Sequence, residues 1–150
     1  MQMRDFVVRF AGEGGQGVVT SAEGLAQSST QVGYHALTFA TFPSQILGGP
    51  TWTQARISVD PVLSAGDDVN VLVAFNREAY DAHQQDVLKD GVVIFNSTEF
   101  EIEGDDRSFG LPFEELAKST GNNRAANMVI MGSLAHLINC LLYTSDAADE

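Results

Sequence analysis

Cysteine is nearly missing from this chain of 150 residues: Cys140 stands alone. One thiol cannot close an internal disulfide, nor by itself hold zinc or an iron–sulfur cluster, which need several thiolate or imidazole ligands. Any such centre must belong to another polypeptide or to a further part of this one. Basic residues are scarce too, eight against twenty acidic, for a formal net charge of −12. Binding to a phosphate backbone draws on clustered Lys and Arg to release counterions, so no nucleic-acid partner is expected. No apolar run reaches the roughly eighteen residues that a membrane span requires. Residues 1–5 also lack the basic and apolar regions of a secretory signal. The expectation is therefore a cytoplasmic protein with no membrane partner. His35, His83 and His136 have no Cys, His or carboxylate at metal-ligand spacing, and read as surface or core residues rather than catalytic ones.

What is present is 44% hydrophobic residues, enough to bury one core. Residues 5–11 hold Phe6, Val7, Val8 and Phe10, a β-branched and aromatic run that reads as a buried strand despite Arg9. A glycine-rich hexapeptide follows. From 18 to 31, Val18, Ala22, Leu25 and Ala26 recur at helical spacing, with Gly33 as the stop. Residues 34–42 read as a second strand, and the proline- and glycine-rich stretch 43–50 breaks it. Residues 51–59 alternate with Trp52, Gln54, Arg56 and Ser58 on one face. Neither face is purely apolar, which predicts a strand near an edge or beside a site. The apolar run 69–75 has the character of a central parallel strand. Asn76 can cap a helix over 77–88, which Asp90-Gly91 would terminate, and 92–95 is a further buried strand. Residues 99–107 are acidic and expected to be exposed. Pro112 opens a helix through Lys118, with Glu114 and Glu115 near its positive end. Residues 123–142 read as a last apolar helix. Alternating strands and helices specify an α/β fold: a three-layer, Rossmann-like domain with a mixed, mostly parallel sheet.

Gly12, Gly14 and Gly17 satisfy G-x-G-x-x-G between a strand and a helix. Glycine there permits close backbone approach, and the free N–H groups of the helix favour an anion such as phosphate. Dinucleotide binding also needs an acidic residue about twenty positions on, at the end of the second strand. Leu37, Thr38, Phe39, Ala40 and Thr41 supply none, which argues against NAD. No Gly-Lys-Ser/Thr follows the loop, so it is not a Walker loop. A tight turn that only packs helix on sheet remains the alternative to a phosphate cradle. The second loop joins Pro43 and Pro50 to Ser44, Gln45, Gly48 and Gly49, a rigid, irregular composition suited equally to lining a site or to plain turning. Trp52 and Arg56 could face a partner or an anion, though a packing Trp with a surface Arg is the simpler reading. Asn76-Arg77-Glu78 follows a strand's C-terminal end, where open α/β sheets place ligands; helix capping accounts for Asn76 equally well.

Residues 140–150, CLLYTSDAADE, resemble the translation of a transposon-type sequencing adapter and are expected to be non-native, with the native chain longer. Removing their three acids, Asp146, Asp149 and Glu150, takes the charge from −12 to −9, so the chain stays acidic.

Four segments in this order carry a family resemblance: FAGEGGQGVVT at 10–20, PSQILGGP at 43–50, ARIS at 55–58 and VAFNREAY at 73–80, with an apolar strand ending in Asn96. Together they resemble the gamma subunit or gamma domain of 2-oxoacid:ferredoxin (acceptor) oxidoreductases, over about residues 5–137. The second loop is especially similar to members in which this domain is fused ahead of an alpha-type domain. The resemblance implies a gamma-type domain over residues 1–139, C-terminally incomplete, in a complex that decarboxylates a 2-oxoacid oxidatively, passes electrons to ferredoxin and forms the acyl-CoA. It implies alpha- and beta-type domains or subunits as partners, and thiamine diphosphate, magnesium and iron–sulfur clusters held elsewhere in the complex. The gamma domain would pack against those and help form the coenzyme A region. The implied binding residues are Gly12, Gly14, Gly15, Gln16 and Gly17, with Ser44, Gly48, Gly49 and Arg56 beside them; none is an acid, base or nucleophile. Indolepyruvate-type beta subunits share the resemblance, and a stand-alone nucleotide-binding α/β protein and a purely structural interaction domain remain the other readings.

Overall fold

The computed structural model describes residues 5–14, 17–41, 49–119, 121, 132, 134 and 136. In chain order these form β1 (Asp5–Glu13), α1 (Val18–Gln31), β2 (His35–Thr41), β3 (Pro50–Ser58), β4 (Val69–Ala74), α2 (Arg77–His83), a 3-10 turn (Gln84–Asp86), β5 (Val87–Asn96), β6 (Ser108–Leu111) and α3 (Phe113–Ser119). The strands make one sheet in the order β2-β3-β1-β4-β5-β6. From β1 through β4 and β5 to β6 all pairings are parallel, and β3 alone runs against its neighbours. The mixed, mostly parallel sheet expected from the sequence is thus observed.

The alternation of side chains across the strands builds two cores. Phe6, Val8 and Phe10 of β1, with Val71 and Val73 of β4, face Val18, Ala22 and Leu25 of α1 and Phe113 of α3; Leu134 is buried in the same cluster. Val7, Ala11, Leu72, Ala74 and Phe95 point the other way, onto Ala79 and Tyr80 of α2 and toward Phe100 and Ile102. Each fully buried large side chain contributes about 1.5–3 kcal/mol. Three layers result, with the sheet in the middle.

α1 has the bounds that its periodicity predicts. It ends in a Schellman motif, with Tyr34 N–H donating to the Ser29 carbonyl at 3.1 Å and Gly33 N–H to Thr30 at 3.2 Å. Gly33 takes the left-handed φ of +100° that this stop requires.

The strand at 50–58 lies near an edge, one place in from the edge strand β2, and its mixed faces arise because its polar side chains are buried. Gln54 donates its amide to the carbonyls of Ala65 and Gly66 at 2.7 and 2.6 Å. Two sequence expectations are corrected. The helix after Asn76 stops at His83 rather than 88, because the chain must turn through Gln84–Asp86 to enter β5. Asp90 and Gly91 lie inside β5 and end no helix. There the two-residue step from Val69 to Val71 on β4 faces a five-residue step from Val87 to Val92 on β5. β6 has no counterpart among the expected elements. The predicted last helix lies outside the described residues apart from Gly132, Leu134 and His136, which are helical, and residues 140–150 lie wholly outside them.

Candidate functional site

β1 continues two residues further than the sequence suggests, so Gly12 and Glu13 still pair with Thr51 and Pro50 of β3. At this end of the sheet the first glycine loop and the close of the second loop meet. Gly14 N–H donates to the Gly49 carbonyl at 3.3 Å. Among the described residues, a methyl group on Gly14 would meet nothing within 4 Å, so the loop is open toward them on that side.

Gly17 is the N-cap of α1 at φ 84°, ψ 19°, a left-handed conformation that an L side chain rarely adopts. Its carbonyl receives the Ser21 backbone N–H at 2.9 Å and the Ser21 hydroxyl at 2.8 Å. The glycine N-cap supplies no side-chain cap, and the first-turn N–H groups of Val18, Val19 and Thr20 have no intrahelical acceptor and point out of the helix start. These groups and the positive end of the dipole suit an anion. Gly12, Gly14 and Gly49 are therefore brought together, with Gly17 at the start of α1. Gly15, Gln16, Ser44 and Gly48 lie outside the described residues.

Arg56 is not beside them. It pairs with Val7, five residues down β1 from Gly12, or about 17 Å along the strand. Its guanidinium grips both carboxylate oxygens of Asp5 and donates to the carbonyl and hydroxyl of Ser64. The hydrogen bond from Arg56 is the main reason the Asp5 carboxyl lies below the ordinary aspartate range, and Asp5 raises the Arg56 guanidinium in turn.

The cation nearer the glycine end is Arg9, which in the sequence is visible only as an oddity in a buried strand. It is only 7% exposed. Its Nε donates to Gln54 Oε1 at 2.9 Å, and its Nη1 reaches Asp86 Oδ2 at 2.6 Å and His83 Nδ1 at 3.1 Å. The guanidinium carbon lies 4.5 Å from the centre of the Trp52 ring. Trp52 touches His83 edge-on at 5.8 Å and Phe39 at 5.7 Å. The signal available in the sequence was that Arg9 interrupts an apolar strand; that Gln54 is its cross-strand partner needed the register.

At the C-terminal end of β4, Asn76 caps α2 by accepting from the Ala79 N–H at 2.8 Å. Asn96, ending β5, accepts from Thr98 N–H at 3.2 Å and from Phe113 N–H at 3.3 Å, so it also holds the start of α3. Among the described residues, no group of three or more His, Cys, Asp or Glu could hold a metal ion. No helix among them is long and apolar enough to cross a membrane.

Comparison with known proteins gives one consistent answer. The model of the family described as pyruvate ferredoxin/flavodoxin oxidoreductase matches residues 7–148. Ketoisovalerate oxidoreductase subunit VorA of Methanothermobacter marburgensis is 34% identical over 139 residues, which is 91% of this chain and 29% of that subunit. The chain thus spans under a third of the length of that relative. Among solved structures, the 2-oxoglutarate:ferredoxin oxidoreductase of Magnetococcus marinus, with 2-oxoglutarate, coenzyme A and succinyl-CoA bound, superposes with a TM-score of 0.78 at 31% identity, covering 88% of this chain and 24% of that one. The gamma subunit of a keto/oxoacid ferredoxin oxidoreductase from Geobacter sulfurreducens superposes with a TM-score of 0.76 at 25% identity, covering 87% and 74%.

Proposed function

The chain belongs to the pyruvate ferredoxin/flavodoxin oxidoreductase family, and from that premise we propose that it is the gamma-type domain of a 2-oxoacid:ferredoxin oxidoreductase. The whole enzyme would decarboxylate a 2-oxoacid to its acyl-CoA and pass the electrons to ferredoxin. Alpha- and beta-type parts would be its partners and would hold thiamine diphosphate, magnesium and the iron–sulfur clusters. When bound there, thiamine diphosphate supplies the carbanion chemistry, which belongs to the cofactor.

The part proposed for this chain is the coenzyme A side of the site. The observation that carries it is the open, uncapped start of α1 beside the Gly14–Gly49 contact. Three backbone N–H groups there can hold a phosphate oxygen without a charged side chain, and Gly14 leaves room for the rest of the group. Gly12, Gly14, Gly15, Gln16 and Gly17 would line it, with Ser44, Gly48 and Gly49 across from them. Arg56 is engaged with Asp5 and Ser64 and would act as a strut. The likeness to an oxidoreductase solved with coenzyme A supports this reading.

Topology argues against a nicotinamide cofactor. In a dinucleotide site the ribose carboxylate stands at the end of the strand next to β1. Here β3 intervenes, so the end of β2 lies two strand spacings away, about 9.6 Å, and ends in Ala40 and Thr41.

Gly14→Asp in the assembled enzyme tests the reading. The side chain has space and brings a negative charge to the phosphate position. The KM for coenzyme A is expected to rise roughly tenfold or more while the KM for the 2-oxoacid is unchanged. An unaltered coenzyme A KM, or tight NADH retention seen by calorimetry in place of coenzyme A binding, would sink the proposal.

A further inference from the structure

Next to the glycine end, and outside anything the coenzyme A reading uses, β1, β3, the end of α2 and the turn after it close an arginine, a histidine and a carboxylate beneath the chain's single tryptophan. Arg9 Nη1 contacts His83 Nδ1 at 3.1 Å and Asp86 at 2.6 Å. An arginine nitrogen can only donate, so Nδ1 must present its lone pair and the ring proton sits on Nε2. Protonating Nδ1 would turn the acceptor into a donor and place a second cation against the guanidinium.

We propose that His83 is a proton-operated latch. Neutral, it ties α2 and the 3-10 turn to β1 and β3 through Arg9; protonated, it lets go and loosens Trp52.

The charged groups facing the ring are Arg9 from β1 and Asp86 from the turn, and β3 presents only the uncharged Trp52. Asp86 favours the imidazolium, but it already accepts from Arg9 and is half exposed, so water screens its pull. Burial first, and Arg9 second, hold the ring neutral below the ordinary histidine range. Release would reach the glycine end directly: Trp52 stands opposite Ala11, and the next pair along is Gly12 with Thr51.

The test uses the emission of Trp52 in the full chain, because an indole loosened from His83 and Arg9 is more exposed to water, which weakens its emission and shifts it to longer wavelength. Emission is expected to fall on acidification with a midpoint below the ordinary histidine value of about 6.5. His83→Gln, which keeps an acceptor for Arg9, is expected to be flat over about pH 5 to 7.5. Backbone amide exchange at residues 84–87 should accelerate below the wild-type midpoint, relative to the variant. A flat wild-type trace, a midpoint at or above the ordinary value, the same titration in His83→Gln, or equal exchange in both proteins would each overturn the latch. If His83→Gln does not fold, the imidazole proton resonances of the wild type, assigned with His35→Gln and His136→Gln, yield the His83 midpoint directly, and a value at or above the ordinary one overturns the latch equally.

Discussion

Arg9 spends its donors on Gln54, His83 and Asp86 and lays its flat face on Trp52, which is how a cation is tolerated inside a sheet. Arg9→Ala removes the cation and strands Gln54 Oε1. Because Asp86 keeps half its surface in water, the loss is expected at the low end for a broken buried pair, about 3 kcal/mol, read from urea denaturation. Thr53 shows the opposite case. Its hydroxyl is buried with no hydrogen-bond partner among the described residues. A valine has the same shape and nothing to leave unsatisfied, so Thr53→Val should raise stability by about 1 kcal/mol. A loss of that size in the same denaturation experiment would show that the hydroxyl has found an acceptor. At Asn76 the sequence left a cap and a ligand position equally open; the structure shows the cap, and Asn76→Ala should cost about 1 kcal/mol.

Gly91 is where an element depends on one missing methyl group. A Cβ there would stand 2.7 Å from Val87 Cγ1 and 2.9 Å from the carbonyl oxygens of Asn70 and Leu88. Two of those three neighbours are backbone, so the irregular stretch of β5 would have to shift. Gly91→Ala is expected to destabilise by about 1–3 kcal/mol, seen as a lower Tm with the far-ultraviolet spectrum at low temperature unchanged. The sequence suggested a helix stop here because Asp-Gly is a turn signal; in the fold the pair lets five residues of β5 span two of β4. Local pattern located α1, β1 and β4, since each buries one face or both in a recognisable run, and Pro112 with Glu114 and Glu115 located α3. It could not locate β6, whose Ser-Phe-Gly-Leu is too short to show alternation. Nor could it orient β3, because strand direction and register are properties of pairing with a distant segment. The same limit applied at the candidate site. The glycine loop was legible from spacing, the closeness of Gly14 to Gly49 rested on resemblance alone, and the separation of Arg56 from both followed only from the register.

Across the whole molecule, twenty acidic residues make acid the natural stress. Asp5, held low chiefly by the Arg56 hydrogen bond, and Asp105, held low chiefly by the Arg107 backbone N–H, both have folded values below the unfolded one. Their contribution is complete above about pH 3.8 and fades as pH falls through their folded values. His83 is a base whose folded value is also lowered, so the unfolded chain holds the extra proton. Its contribution is complete above about pH 6.5 and is withdrawn as pH falls from there to the folded value. Denaturation midpoints taken between pH 7 and 5 should therefore decline in the wild type and stay level in His83→Gln. The placement of β3 has a further consequence for the order of assembly. Asp5 finds its cross-strand partner at Ser58 and Glu13 finds Pro50, so β1 cannot be walled in on that side until residues 50–58 have left the ribosome. β2 and β3, neighbours in sequence, are expected to make a ribbon first, and β1, made before either, waits as a guest for a seat built after it.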